Sequence, residues 1–160
     1  MRRRIYRRMP WAATAIGVAC AAVACSTPHH TPEPYRSNPV AASALSERAA
    51  AHCAAETPDA PQPVKPFLTD GCSRFVDAEW SLACCIEHDI KYWCGGSPEQ
   101  RAAADEAFGE CVAANTADVV GKAVELGVRV GGHPVLPTGY RWGYGHEYSA
   151  GYPEEPQRVH

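Results

Sequence analysis

The sequence lacks an apolar run long enough to cross a bilayer. Its longest apolar stretch, Trp11 to Ala24, has 14 residues, whereas a spanning helix needs roughly 18 to 20. Five arginines precede this stretch within the first eight positions. A basic segment followed by a short apolar run is typical of an export signal. We therefore expect residues 1–25 to be a signal peptide and the mature protein to lie outside the cytoplasm.

The mature chain also has little positive charge. The export segment contains 5 of the 15 Lys and Arg residues and none of the 18 Asp and Glu residues, which leaves 10 basic against 18 acidic residues, a net charge of −8. A protein with this negative net charge does not attract the phosphate backbone of a nucleic acid, so we expect no nucleic-acid partner. Just over 100 residues follow Cys53, enough for one domain with a modest core, which we expect to be monomeric.

Free thiols are not expected outside the export segment. Six cysteines remain there, and an even number in an oxidising compartment predicts three disulfides, although cysteine counting alone leaves their pairing open. The six are Cys53, Cys72, Cys84, Cys85, Cys94 and Cys111. A zinc site of three cysteines and His88 is the alternative, but adjacent cysteines on a helix fit a tetrahedral site poorly.

The end of the export segment, Ala22 to Cys25, resembles a bacterial lipobox, whose cysteine is acylated and becomes the new N-terminus. An acyl chain on Cys25 would hold the protein at a membrane surface. A plain signal peptide would instead release it. The sequence therefore predicts either a cell-envelope lipoprotein or a secreted protein.

Residues 26–66 contain eight prolines, a density that suits a tether. One segment within it, 39–56, is alanine-rich and begins with Asn38 as cap and Pro39 as first helical residue. We predict a helix there, fixed by Cys53.

Three further segments have helical patterns. The first, from about Asp77 to Trp93, lacks Gly and Pro. The second begins at the Ser97 cap and continues to about Ala114, and the third spans Ala117 to Val130. We predict an all-α, disulfide-bonded domain at residues 67–131, in which the first two helices are antiparallel. An aromatic, Gly- and Pro-rich tail follows at 132–160, either packed over the core or inserted at a lipid interface.

The chemically suggestive residues are on the first of these helices. His88 and Asp89 point roughly 100° apart, so one can act as a base and the other as a metal ligand. Calcium needs additional oxygens, which the Asp70-Gly71 turn can supply. The alternatives without a catalytic role are that His88 is a structural histidine, that Asp89 is a solvated carboxylate on the helix surface and that Asp70-Gly71 is an ordinary turn.

A catalytic imidazole needs a carboxylate on its far nitrogen. The following helix offers three acids, Asp105, Glu106 and Glu110. Tyr92, one turn beyond His88, is placed to steady that carboxylate through its hydroxyl.

These residues also match a known pattern. Cys84-Cys85-Ile86-Glu87-His88-Asp89 resembles the Cys-Cys-x-x-His-Asp signature of secreted phospholipases A2, and Tyr92 falls on that family's tyrosine. Thr69-Asp70-Gly71-Cys72 is similar to the short calcium loop of the bacterial and fungal branch, and Ala103 to Phe108 to its third-helix segment. The resemblance covers about Thr69 to Val112.

The resemblance implies a fold, a set of roles and an activity. It makes His88 the base, Asp105 its partner, and Asp89, Asp70 and the Gly71 carbonyl the Ca²⁺ ligands. It pairs Cys72 with Cys85 and Cys84 with Cys111, which leaves Cys53 for Cys94. The expected reaction is calcium-dependent hydrolysis of the sn-2 ester of a phospholipid. A non-catalytic, phospholipase-like envelope lipoprotein that binds lipid or protein is the alternative.

Overall fold

The computed structural model of the protein describes residues 31–72, 79–147 and 151–152. The expected export segment and Cys25 lie outside these residues. Within them, all regular secondary structure is helical, which confirms the predicted all-α class. The four helices are α1 (Pro39–Glu56), α2 (Glu79–Cys94), α3 (Pro98–Asn115) and α4 (Asp118–Gly131). No helix in this described part is long and apolar enough to cross a membrane.

Local signals explain where two helices begin. The Asn38 side chain accepts hydrogen bonds from the first amides of α1, and Pro39 occupies the first turn. At α3, Ser97 and Gln100 form a reciprocal capping box. The expected start of α2 at Asp77 lies outside the described residues, and the helix is described from Glu79.

Helix α2 is the centre of the molecule, because each of the three disulfides joins it to another segment. Cys53–Cys94 connects it to α1, Cys72–Cys85 to the preceding loop and Cys84–Cys111 to α3. The last two bonds are the ones that the sequence resemblance implies, and Cys53–Cys94 is the pair expected from the two remaining cysteines. Since these cysteines are oxidised, they offer no thiolates for the zinc alternative.

The segment expected to serve as a tether contributes to the core. Leu45, Ala49 and Cys53 form one stripe of α1 and are buried against Ile90 and Trp93 of α2. Burial of such a stripe stabilises a helix that local propensity alone would leave marginal. Helix α1 is therefore part of the packed body.

Helices α2 and α3 are antiparallel. Cys84, early in α2, bonds Cys111, late in α3, whereas Tyr92, late in α2, hydrogen-bonds Asp105 in the middle of α3. The chain reverses between them at Gly95 and Gly96, whose φ values of 72° and 130° favour glycine.

The described part of the C-terminal tail packs on the end of α2. Trp142 is 3% exposed, and its indole nitrogen donates to the Gly96 carbonyl. The amides of Gly143 and Gly145 donate to the carbonyls of Tyr92 and Trp93. Of the two expectations for the tail, packing over the core describes this stretch.

Helices α3 and α4 approach each other closely at glycine residues. Substitution of these glycines tests how tightly the two helices pack. A Cβ on Gly121 would press against the Gly109 carbonyl oxygen and lie 2.7 Å from the Ala113 Cβ. We expect Gly121→Ala to lower the free energy of unfolding by about 1–3 kcal/mol. Gly127→Ala, on the same helix with nothing within 4 Å, should raise it by about 0.5–1 kcal/mol. Denaturant unfolding of both variants tests this, and equal effects would contradict the close packing.

Candidate active site

A histidine, an aspartate and a tyrosine meet between α2 and α3. His88 Nε2 lies 3.3 Å from Asp105 Oδ1, and the Tyr92 hydroxyl donates to the same oxygen at 2.6 Å. The Asp105 side chain has no solvent exposure. A buried carboxylate is an acceptor, so the His88 Nε2 carries the proton and Nδ1 is left as the acceptor.

The surroundings of His88 favour its neutral form. Its ring lies 4.2 Å from the Tyr92 ring and stacks on Phe108 at 4.5 Å, between centroids. Burial is the main influence that lowers the pKa of His88; Asp105 opposes this shift, and the charge of Lys91 adds to it. The imidazole is therefore able to accept a proton at neutral pH.

His88 also borders a pocket of ≈ 190 Å³ between α2 and α3. The pocket has a largely apolar wall, formed with the Cys84–Cys111 disulfide, and a cationic side chain at its edge. Its lining residues are Cys84, Glu87, His88, Lys91, Ala104, Ala107, Phe108 and Cys111.

Two arginines face the second oxygen of the Asp105 carboxylate. Arg129 Nε lies 3.4 Å from Oδ2 and Arg101 Nη2 lies 3.9 Å from it. Burial alone would raise the pKa of Asp105, but hydrogen bonds from His88 and Tyr92 and nearby positive charge hold it below its usual range. Asp105 is therefore a stable anion beside the histidine.

A second cluster lies next to the first, where the loop before α2 meets the helix. The Thr69 hydroxyl donates to Asp89 Oδ2 at 2.6 Å and accepts from the Gly71 amide at 3.0 Å. Gly71 has a φ of 72°, a conformation that favours glycine. Together with the Cys72–Cys85 disulfide, these bonds fix the loop against the helix.

The Asp89 carboxylate is in an environment that disfavours a lone negative charge. Burial, with a further contribution from the charge of Asp70, raises the pKa of Asp89 to about 8, against the hydrogen bond from Thr69. Among the described residues no basic side chain forms an ion pair with Asp89. A cation held by both carboxylates would remove this penalty.

The polar side-chain atoms of this cluster are oxygens, the ligand type that calcium binds. No group of three His, Cys, Asp or Glu side chains suited to a metal occurs in the described ranges. Calcium also accepts backbone carbonyls and water as ligands, so two carboxylates and the Gly71 carbonyl are a chemically suitable set.

Sequence reasoning found most of these residues and missed others. Asp105 lies at His88, while Glu106 and Glu110 are exposed. The arginines were not anticipated, although Arg101 stands four residues before Asp105 on one helix face, a usable signal.

Tyr144 is a further addition to the second cluster. Its hydroxyl lies 2.8 Å from the Leu68 carbonyl oxygen and 3.2 Å from that of Asp89, so it contacts both the loop and α2. The sequence gives no signal for this role, because Tyr140 in the same aromatic tail looks equivalent and is 49% exposed. Tyr148, another tyrosine of the aromatic tail, lies outside the described residues.

Comparisons with protein-family models, with characterised proteins and with solved structures found no match for this chain.

Proposed function

We propose that this protein is an exported, secreted-phospholipase-A2-like esterase that hydrolyses the sn-2 ester of glycerophospholipids in a calcium-dependent reaction. The observation that carries the proposal is the placement of two clusters on adjacent residues of one helix. His88 meets a buried Asp105, and Asp89 meets the Thr69-Asp70-Gly71 loop. A merely structural histidine would not require the second cluster.

The residues of the first cluster perform the proton transfers. The His88 Nδ1 accepts a proton from water while the water oxygen attacks the ester carbonyl carbon. Asp105 stabilises the resulting imidazolium through Nε2–H, and Tyr92 holds the carboxylate in place. When the tetrahedral intermediate collapses, His88 returns the proton to the glycerol oxygen as the carbon–oxygen bond breaks. The products are a fatty acid and a lysophospholipid.

In the second cluster, Asp89, Asp70 and the Gly71 carbonyl would hold Ca²⁺. The bound ion would supply positive charge for the oxygen that becomes negative in the transition state. The disulfide between Cys72 and Cys85 keeps the loop in register with α2, so the ligands would not have to be gathered on binding.

A non-catalytic role in binding lipid or protein at the envelope is the second candidate. It is favoured by an apolar stripe on the outer face of α4, where Val119, Leu126 and Val130 are 65–75% exposed. An enzyme with its site between α2 and α3 does not need this stripe.

The proposal predicts that hydrolysis depends on both Asp89 and calcium. Purified mature protein is incubated with mixed phospholipid micelles, with calcium or with chelator, and fatty-acid release is measured. We expect chelation, or Asp89→Asn, to reduce the rate by about 100-fold or more, because each removes charge stabilisation of the transition state.

The matched control is Asp59→Asn, which makes the same substitution at an exposed carboxylate in the turn after α1. Its rate should stay within about twofold of wild type. Release that is unaffected by Asp89→Asn would refute the metal role. No release under any condition would favour the binding protein.

A further inference from the structure

We infer that Arg129 is a positioning residue, which fixes the Asp105 carboxylate so that Oδ1 stays directed at His88. The inference rests on the proposed function of His88 as the base, and it assigns a part in that site to α4. The two oxygens of Asp105 have separate partners. Oδ1 is shared by His88 and Tyr92, and Oδ2 faces Arg129 from α4.

The guanidinium of Arg129 is held at two points on α3. Its Nε lies 3.4 Å from Asp105 Oδ2, and its Nη2 donates to the Ala102 carbonyl at 3.0 Å. Because the group is planar and its donors have fixed directions, two acceptors determine its orientation. The carboxylate that it contacts is then restrained against rotation about its own side-chain bond.

The two arginines near Asp105 have different roles. Arg101 donates to the carbonyls of Val128 and Arg129 in the last turn of α4, and its side chain is only 6% exposed. A cation at the C-terminus of a helix stabilises its last carbonyls, so Arg101 serves the fold. The Arg129 side chain is 41% exposed, so it can be replaced without leaving a cavity.

Arg129 does not face Asp105 as an isolated charge. Glu125 Oε1 lies 3.4 Å from its Nη2, and Lys122 lies 2.8 Å from Glu125 Oε2. The positive charge of Arg129 is partly balanced by Glu125. Its contribution to Asp105 is therefore mainly directional.

Loss of this contact has a specific consequence for His88. If the carboxylate rotates, Tyr92 can keep one oxygen while the acceptor for the His88 Nε2–H is lost. The imidazole then also populates the form that carries its proton on Nδ1, which cannot take a proton from water. Arg129 itself does not touch the reacting atoms, so turnover should fall while substrate binding is kept.

The test compares Arg129→Gln and Arg129→Lys with Arg36→Gln, all measured at one fixed pH with saturating calcium. We expect Arg129→Gln to lower kcat about tenfold with KM unchanged within about twofold, because residues that orient a functional side chain typically contribute about this much to activity. Arg129→Lys should recover part of the loss. Arg36→Gln makes the same kind of substitution at an exposed arginine that pairs with Glu33, and it should behave as wild type. A kcat for Arg129→Gln equal to that of wild type would overturn the inference.

A second measurement does not require turnover. Nitrogen-15 NMR at the same fixed pH reports which ring nitrogen of His88 carries the proton. We expect a predominant Nε2–H form in wild type and Arg36→Gln, and a mixture in Arg129→Gln. An unchanged form in Arg129→Gln would refute the positioning role. A mixture in a protein that hydrolyses no lipid would support the positioning role and reject the proposed enzyme. Failure of the positioning role can therefore be told apart from failure of the proposed function.

Discussion

Replacement of His88 with glutamine is expected to reduce ester hydrolysis by between about 100- and 10,000-fold, the range associated with loss of a general base. The amide is long enough to stay near Asp105 but cannot accept a proton near neutral pH. The fold should survive, because Asp105 keeps its bonds to Tyr92 and Arg129. The change in free energy of unfolding should be about 1–2 kcal/mol. Fatty-acid release and thermal unfolding of the same samples test both parts.

His52→Gln is the matched control for this experiment. His52 lies on α1 and borders a neighbouring pocket that His88 does not line, so its replacement should leave the rate near that of wild type. Turnover retained in His88→Gln would remove His88 from the reaction. A large drop in melting temperature, with the activity of the folded fraction unchanged, would instead identify His88 as structural.

The two clusters are separate because of helix geometry. His88 and Asp89 are neighbours in sequence, but successive side chains on a helix point about 100° apart. One therefore faces α3 and meets Asp105, whereas the other faces the preceding loop and meets Thr69. A single rigid helix can thus hold a neutral base beside a carboxylate that is suited to a cation, with no flexible segment between them.

Features determined by neighbouring residues could be predicted from the sequence. The Asn38 and Ser97 caps act within three residues of themselves, and the spacing of His88 and Tyr92 places both on one helix face. The all-α class follows from such local patterns. Leu45, Ala49 and Cys53, at intervals of four, also gave a signal for core packing, which the high proline content around them obscured.

Features that depend on tertiary packing could not be predicted in this way. Arg129 reaches Asp105 across 24 residues, and Tyr144 reaches the Asp89 carbonyl across 55. Neither contact follows from periodicity, because each depends on how α4 or the tail packs against the rest. Cysteine spacing alone likewise left the disulfide pairing open. Two of the bonds came from the family resemblance, and the third followed as the remaining pair.

Replacement of Asp105 with alanine is expected to have the largest effect on stability, a loss of about 3–5 kcal/mol in the free energy of unfolding. The reason is the uncompensated charge left behind. Arg101 is 5% exposed and would lose its nearby carboxylate, while the buried Tyr92 hydroxyl would lose its shortest hydrogen bond. Glu106→Ala, at an exposed position on the same helix, should change stability by less than about 0.5 kcal/mol.

The pH dependence of this difference separates an ion-pair network from simple packing. The pKa of Asp105 is held below its ordinary value of 3.8, so its stabilising contribution is present above that value and is lost as the pH falls through the folded-state pKa. Asp105 also opposes the lowering of the His88 pKa, so the difference between wild type and Asp105→Ala should not decrease from neutral pH down to about pH 4 and should shrink at lower pH. A difference that persists unchanged into acid would mean that Asp105 stabilises the fold by filling space, and that its charge is not what orients His88.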